Sequence, residues 1–129
     1  SNAQILFLDQ TVLTLGEDTE LTIDDFIYNS ETHDGNFVTE VKSGTVKFIT
    51  GQISKLNPDN LEVKLPEGTL GARGTEFVVL SEKNKKSTIV LLGPGPNNSL
   101  GMIPGSLQIS DGNNMVSITN PGYQAMIEN

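Results

Sequence analysis

The sequence predicts an all-β fold on the strength of three features. Apolar residues recur at every second position in short segments, which is the pattern of strands that bury one face. Turn dipeptides such as Asp34-Gly35 and Asp111-Gly112 separate these segments. No segment of about ten residues has a convincing helical spacing of apolar residues. We therefore expect one domain of about ten to twelve short strands, arranged as a sandwich, a roll or a short β-solenoid.

The expected strands are of two kinds. Around Leu21 and Ile23, apolar and polar residues alternate, whereas residues 77–80 and 88–92 are continuous apolar runs. Continuous runs are typical of central strands buried on both faces, so we expect these two strands to lie inside the sheet. In chain order, the strands are expected at residues 5–8, 12–15, 21–26, 37–41, 45–49, 61–65, 77–80, 88–92, 107–109, 115–118 and 123–127.

One gap in the strand pattern favours a helical turn. The alternation fades between Gly51 and Asn60. Within that gap Asn57 can cap a helix, and Pro58 suits the first helical position because it needs no N–H partner. We expect a single turn over residues 56–59.

Length and composition describe a single globular domain and name no function. The chain has 129 residues, and Ser1-Asn2-Ala3 is interpreted as a scar left by removal of an expression tag. Residues 4–129 are then enough for one domain and too few for two independent cores. Hydrophobic residues make up 36% of the chain, which suffices for a compact core.

The charge balance excludes several classes of partner. Sixteen acidic residues against eight basic ones give a net charge of −8. Because nucleic acids and anionic lipids both attract clustered Lys and Arg, this balance argues against nucleic-acid binding and against membrane adhesion by charge. The longest uncharged stretch, residues 87–110, contains the Gly- and Pro-rich residues 93–98, so no membrane insertion by this segment is expected.

The absence of cysteine excludes disulfides, thiolate catalysis, Cys-based zinc sites and iron–sulfur clusters. His33 is the only histidine, so neither a Ser-His-Asp triad nor a multi-histidine metal site can form within one chain. His33 lies in a polar segment, where we expect it to be solvated. We expect no cofactor.

Several ordered motifs resemble the FecR domain family. The segment Gly71-Ala72-Arg73-Gly74-Thr75-Glu76-Phe77 is similar to the family's Gly-x-Arg-Gly-Thr-x-Phe hallmark. Residues 16–28 resemble its Gly-Glu-x-Ser-x-Leu-x-Ile-Asp-x-Phe-x-Tyr segment, and residues 44–55 resemble its Gly-x-Phe-Arg-Phe-Val-Ser-Gly-x-Ile-Ala-Lys segment. Residues 105–109 and Pro121-Gly122 resemble the closing elements. The resemblance covers most of residues 5–127.

The chain also departs from the family pattern in three places. Glu67-Gly68 stands where the family more often has Thr-Ala, and the loop at residues 93–105 is longer than expected. The family strands that would precede Gln4 are expected to be missing, which would leave a sheet edge exposed.

The resemblance implies an extracytoplasmic module of a bacterial sensing system, located in the periplasm or secreted. In the best-known members such a domain relays a signal from an outer-membrane iron transporter to an anti-sigma factor segment. Relatives that carry the Leu-Thr-Ile-Asp-Asp-Phe segment look like stand-alone secreted proteins. The expected partner is therefore a protein.

Arg73, between Gly71 and Gly74, is the most specific polar residue of the motif, which continues into Thr75. One interpretation is functional, with the guanidinium presented to a carboxylate of a ligand or partner. The interpretation that we favour is structural. In it the glycines let two backbones approach, and Arg73 bonds carbonyls or a carboxylate such as Asp24 or Asp25.

The acidic residues offer weak candidates for a site. Asp24 and Asp25 would face opposite sides of a regular strand, so they would not form a paired-carboxylate acid/base site. Glu31, Asp34 and carbonyls of the 28–36 loop are the oxygen ligands that a calcium ion would need. No EF-hand spacing is present, and we interpret the segment as an ordinary acidic turn.

We therefore expect a non-enzymatic module that acts by protein–protein contact in sensing or envelope organisation. An exposed strand edge would recruit a partner strand by β-augmentation. The alternative is a small-ligand or glycan-binding domain, whose pocket would be lined by aromatics near Arg73, Tyr28 or Tyr123. A hydrolase is the least favoured class.

Overall fold

The structure is a computed structural model of the chain, and it describes residues 2–73, 76–82, 86–93, 106–110, 115–118 and 124–128. Within them lie eleven strands, so the expectation of an all-β fold with about ten to twelve strands is confirmed. The elements are, in chain order, β1 (Ala3–Leu6), β2 (Val12–Leu15), β3 (Glu20–Tyr28), β4 (Gly35–Ile49), α1 (Gln52–Leu56), a 3₁₀ turn (Pro58–Asn60), β5 (Leu61–Leu65), β6 (Gly68–Arg73), β7 (Glu76–Ser81), β8 (Lys86–Gly93), β9 (Ser106–Ser110), β10 (Met115–Ile118) and β11 (Gln124–Glu128).

The long strand β4 connects two halves of one continuous sheet. Its first part pairs with β3 and β5, and its last part pairs with β2 and β7. We call the half with the order β1-β2-β4-β7-β8-β11 sheet A, and the half with the order β3-β4-β5-β6-β9-β10 sheet B. Among the described strands every pairing is antiparallel except that of β4 with β5, which distinguishes the fold from a parallel β-solenoid.

The change of partners along β4 takes place at Gly44. Gly44 has a φ of 102°, in the left-handed region that favours glycine, and a Cβ there would lie 2.5 Å from Thr19 Cα. The Thr19 Oγ1 accepts the Thr45 N–H at 3.2 Å and donates to the Thr45 carbonyl at 3.2 Å. The two strands expected at 37–41 and 45–49 are therefore one bent strand, because the ladder continues through the glycine.

Both halves of the sheet cover a single apolar core. Sheet B contributes Phe37 and Sheet A contributes Phe48 and Phe77, all fully buried, and the last two rings stack with centroids 4.7 Å apart. Phe7, in the β1–β2 turn, lies 4.7 Å from Phe37 and 5.0 Å from Phe26 of β3. These ring contacts hold the two halves against each other.

The expectation that β7 and β8 are buried on both faces is wrong. Both strands are central in sheet A, and Phe77 and Leu91 are fully buried. On the opposite face, however, Leu80 is 40% and Leu92 is 43% exposed. The apolar runs therefore mark a sheet with one covered face, since no further layer packs on the outer face within the described residues.

The segment between Gly51 and Asn60, where the alternation of apolar residues fades, holds two short helical elements. The 3₁₀ turn begins at Pro58, as expected, and the Asn60 N–H donates to the Asn57 carbonyl at 3.0 Å. The preceding helix α1 was not anticipated by the sequence, because its five residues are too few to display a helical period.

A buried carboxylate from the β1–β2 turn caps α1. Asp9 is 1% exposed, and its Oδ2 accepts the Ile53 N–H at 3.3 Å and the Thr11 hydroxyl at 2.9 Å. Its Oδ1 accepts the Thr11 N–H at 3.1 Å, and its carbonyl accepts the Gln52 N–H at 2.8 Å. Asp9 thus satisfies N–H groups of the first helical turn, which have no partner within the helix.

Gly51 makes this close approach possible. A Cβ at Gly51 would lie 2.2 Å from the Asp9 carbonyl oxygen and 2.6 Å from the Thr11 nitrogen. The Gly51 N–H donates to Thr11 Oγ1 at 3.1 Å. The β1–β2 turn and the start of α1 therefore touch backbone to backbone, which only glycine permits.

We expect Asp9→Ala to lower the free energy of unfolding by about 3 kcal/mol, because it removes hydrogen bonds to a charged buried group and leaves the Ile53 N–H without a partner. Asp9→Asn keeps one acceptor oxygen and should lose less. Urea denaturation measures both, with the exposed Glu31→Ala as the control, for which a change within about 0.5 kcal/mol is expected. Equal urea midpoints for Asp9→Ala and Glu31→Ala would contradict the role of Asp9 as the cap of α1.

Candidate functional site

The segment 71–77 forms the crossing from sheet B to sheet A. Residues up to Arg73 end β6, and Glu76 and Phe77 begin β7. Gly74, Thr75 and the side chain of Arg73 lie outside the described residues, so the two interpretations of Arg73 stay predictions. β6 itself was not expected, because two glycines in six residues hide its buried positions at Leu70 and Ala72.

The end of β6 is tied to the capped helix. Ala72 is 2% exposed, and its carbonyl accepts a hydrogen bond from the buried Ser54 hydroxyl of α1. The backbone of Arg73 pairs with Ser106 of β9. The chain of contacts from Asp9 through α1 therefore reaches the segment that the sequence singled out.

Gly71 does not mediate a close approach of two backbones, which corrects the structural interpretation at this position. It is paired with Glu62 of β5 and Gln108 of β9. Among the described residues, the atom nearest to a Cβ at Gly71 would be the Leu61 carbonyl oxygen at 3.8 Å, an ordinary van der Waals distance. Its backbone also lies outside the left-handed region, in contrast to that of Gly44.

A groove with a volume of about 540 Å³ lies on the outer face of sheet B, and Gly71 is one of the residues that line it. The groove lies over β5, β6, β9 and β10. Sequence reasoning missed it, because strands that are adjacent in the sheet are distant in the sequence. The side chains or backbone that border it include Asp59, Glu62, Thr69, Gly71, Gln108 and Met115.

The structure does not bring Asp24 or Asp25 to the strand of Arg73. Both lie on β3, and β4 and β5 separate β3 from β6, a distance of about 14 Å at the usual strand spacing. Asp24 Oδ2 lies 3.9 Å from Lys64 Nζ, and Asp25 Oδ2 accepts the Asn36 amide at 2.8 Å. These carboxylates have local partners on β5 and β4.

The two aspartates face the same side of the sheet, contrary to the expectation for a regular strand. The register of β3 against β4 shifts between Ile23 and Asp25, which is a β-bulge. The bulge turns Asp24 toward Lys64 on the outer face of sheet B, where Asp25 also meets Asn36. Their partners are a cation and an amide, an arrangement that anchors the bulge.

The loop after β3 is held by its own polar groups. Asn29 Oδ1 accepts the Glu31 N–H at 2.9 Å, and the His33 N–H donates to the Asn29 carbonyl at 2.7 Å. The His33 ring is exposed, as expected, and stacks on Tyr28 with centroids 6.3 Å apart and planes at 15°. Tyr28 and Asp34 border a cavity of about 320 Å³. Tyr123 lies outside the described residues.

In the described part of the chain, no three or more His, Asp or Glu side chains are grouped so that they could hold a metal ion. In the same residues, no helix combines the length and the apolar character needed to span a membrane.

The comparisons with known proteins agree with the motifs. The model of the family described as FecR protein matches residues 1–94, which include β1 to β8 and the 71–77 segment. The resemblance of the residues after 94 lies outside that match. No curated protein matches the sequence.

Two solved structures share the fold. They are crystal structures, at 1.65 and 2.50 Å resolution, of a putative anti-sigma factor from Parabacteroides distasonis ATCC 8503. Their TM-scores are 0.69 and 0.66, at 13% and 14% sequence identity, and 99% of this chain is covered in each case. This chain spans 51% of the length of those chains.

We expect Gly71→Ala to leave the free energy of unfolding unchanged or to raise it by up to about 1 kcal/mol, because the added methyl group has room and a glycine weakens a strand interior. Gly44→Ala is the matched contrast and should lower it by about 1–3 kcal/mol, because alanine is strained in the left-handed region. Urea denaturation compares the two variants. If Gly71→Ala lowered the free energy of unfolding as much as Gly44→Ala, the groove floor would have no room for a methyl group at Gly71.

Proposed function

Because this chain belongs to the FecR family, we propose that it is an extracytoplasmic module for signal sensing or envelope organisation that acts by protein–protein contact. The anti-sigma factor designation of the structural neighbours supports a signalling or regulatory role. In this proposal the module binds a protein partner and carries out no catalysis of its own.

The observation that carries the proposal is the free edge of β10. Among the described strands, β10 pairs only with β9. Two of its four side chains are apolar and exposed, Met115 at 67% and Val116 at 50%. An unpaired edge with exposed apolar side chains is a template for a strand from another chain.

In contrast to β10, the strand at the opposite edge of sheet B, β3, is protected against pairing with another strand. β3 is interrupted by register shifts next to Glu20 and at Asp24, and it carries Asp25 as well. Bulges and charged side chains are the usual devices that prevent edge-to-edge pairing. Of the two edges of sheet B, we therefore assign partner binding to the β10 edge.

We expect a photo-crosslinking amino acid at Val116 to form a discrete adduct with one envelope protein when the full-length protein is expressed in its source cells. The matched control is the same group at Leu8, which is 84% exposed but lies in the β1–β2 turn. Gel mobility and mass spectrometry of the adduct identify the partner and its compartment.

Adducts of equal intensity from Val116 and Leu8, or none from either position, would contradict partner binding at the β10 edge. An adduct with a cytoplasmic protein would contradict the extracytoplasmic location.

The cavity beside Tyr28 favours a second candidate, a small-ligand or glycan site. Tyr28 is backed by the stacked His33 ring, and the cavity edge carries Asn29, Thr32 and Asn60. Aromatic faces and amide or hydroxyl groups are the partners that sugars use for stacking and hydrogen bonding.

To test this candidate, a panel of soluble envelope glycans and siderophores is titrated into the wild-type chain by calorimetry. We expect at least one member of the panel to bind. Tyr28→Ala should abolish the binding heat, whereas Tyr28→Phe, which keeps the ring, should retain most of it. A panel without any ligand, or equal binding by both variants, would rule out a site at Tyr28.

A further inference from the structure

Within the described residues, sterics do not explain why the groove on sheet B has a glycine as its floor. Among those residues, the atom nearest to a Cβ at Gly71 would be the Leu61 carbonyl oxygen at 3.8 Å, and the φ of Gly71 lies outside the left-handed region. A glycine inside a strand usually weakens the sheet, and β-branched residues fit such positions better. The glycine therefore weakens the strand and adds no side chain to the floor of the groove.

The rim of the groove is negatively charged. Glu62 and Asp59 border it, and within the described residues neither carboxylate has a hydrogen bond or an ion pair. On this face of sheet B, Lys64 is paired with Asp24 at 3.9 Å. Among the described residues, no cation of the chain itself contacts the carboxylates of Glu62 and Asp59, so these can pair with a cation from outside the chain.

The groove also has an apolar side toward the free edge. Met115 borders it and is 67% exposed, and its thioether side chain adapts to different neighbours. Gln108, paired with Gly71, is exposed and adds an uncharged hydrogen-bonding group. An apolar wall next to a carboxylate rim matches a side chain with an aliphatic stem and a cationic end.

We infer that this groove receives a lysine or arginine side chain from an extended, basic segment of a partner protein. The inference rests on the proposed function and specifies the chemistry of the partner. The stem lies over Gly71 against Met115, and the cation reaches the carboxylates of Glu62 and Asp59. The net charge of −8 favours the approach of such a segment.

The test uses the isotope-labelled 129-residue chain and two capped peptides of alternating valine with arginine or valine with glutamate. Amide chemical shifts are followed by NMR during titration with each peptide. We expect the arginine peptide to shift the signals of Glu62, Gly71 and Gln108, and the glutamate peptide to leave them unchanged. The shifts should decrease as salt is raised, because exposed charges are screened.

Gly71→Val separates binding from folding. Valine fits the strand and places its side chain on the floor of the groove, where the stem of the bound side chain would lie. We therefore expect the unfolding midpoint to stay or rise while the affinity for the arginine peptide falls at least about tenfold. Glu62→Gln should weaken binding without closing the groove. Thr14→Val, on the outer face of sheet A, is the matched control and should bind like the wild type.

Equal shifts from both peptides, or unchanged affinity in Gly71→Val, would overturn the inference. The crosslink at Val116 distinguishes this failure from failure of the proposed function. A partner adduct that persists in Gly71→Val would refute side-chain binding in the groove and leave partner binding at the β10 edge intact. Loss of the adduct in Gly71→Val but not in Thr14→Val would support side-chain binding in the groove.

Discussion

The buried carboxylate of Asp9 is the interaction on which the arrangement of the other elements depends. It accepts hydrogen bonds from the first turn of α1 and from Thr11, and so joins the β1–β2 turn of sheet A to the helix. Through the Ser54 hydroxyl the same helix holds the end of β6, where the 71–77 segment begins. A charged group can be buried there because each carboxylate oxygen has donors. The position of β6, which carries the start of the motif, thus depends on a residue more than sixty positions away in the sequence.

Three glycines act in three different ways, and the difference bears on function. Gly44 supplies a left-handed φ at the bend of β4, and Gly51 allows two backbones to touch. Gly71 does neither, since the described residues around it would accept a Cβ. In the inference above, Gly71 leaves room for a partner side chain in the groove. Gly71 thus connects the family motif to the groove, independently of the side chain of Arg73.

Much of the candidate site could not be predicted from the sequence. The 71–77 segment and Tyr28 were singled out from their residues, whereas the groove arises from β5, β6, β9 and β10, whose adjacency is set by the strand order. Asp24 and Asp25 were expected on opposite faces, and the bulge in β3 turned both toward one side. A bulge changes the two-residue period at one position, and the alternation of apolar residues does not reveal it.

The sequence by itself determined the all-β class, most of the strands and the 3₁₀ turn at Pro58, because period-two alternation and turn residues act locally. The family followed from the resemblance of its ordered motifs. The tertiary structure alone decided that β4 is one bent strand shared by two halves, that β7 and β8 leave one face exposed, and that Asp9 is buried. These features arise from contacts between segments distant in sequence: Thr19 against the bend at Gly44, and the β1–β2 turn against α1. Burial depends on which surfaces meet, and local periodicity does not encode that.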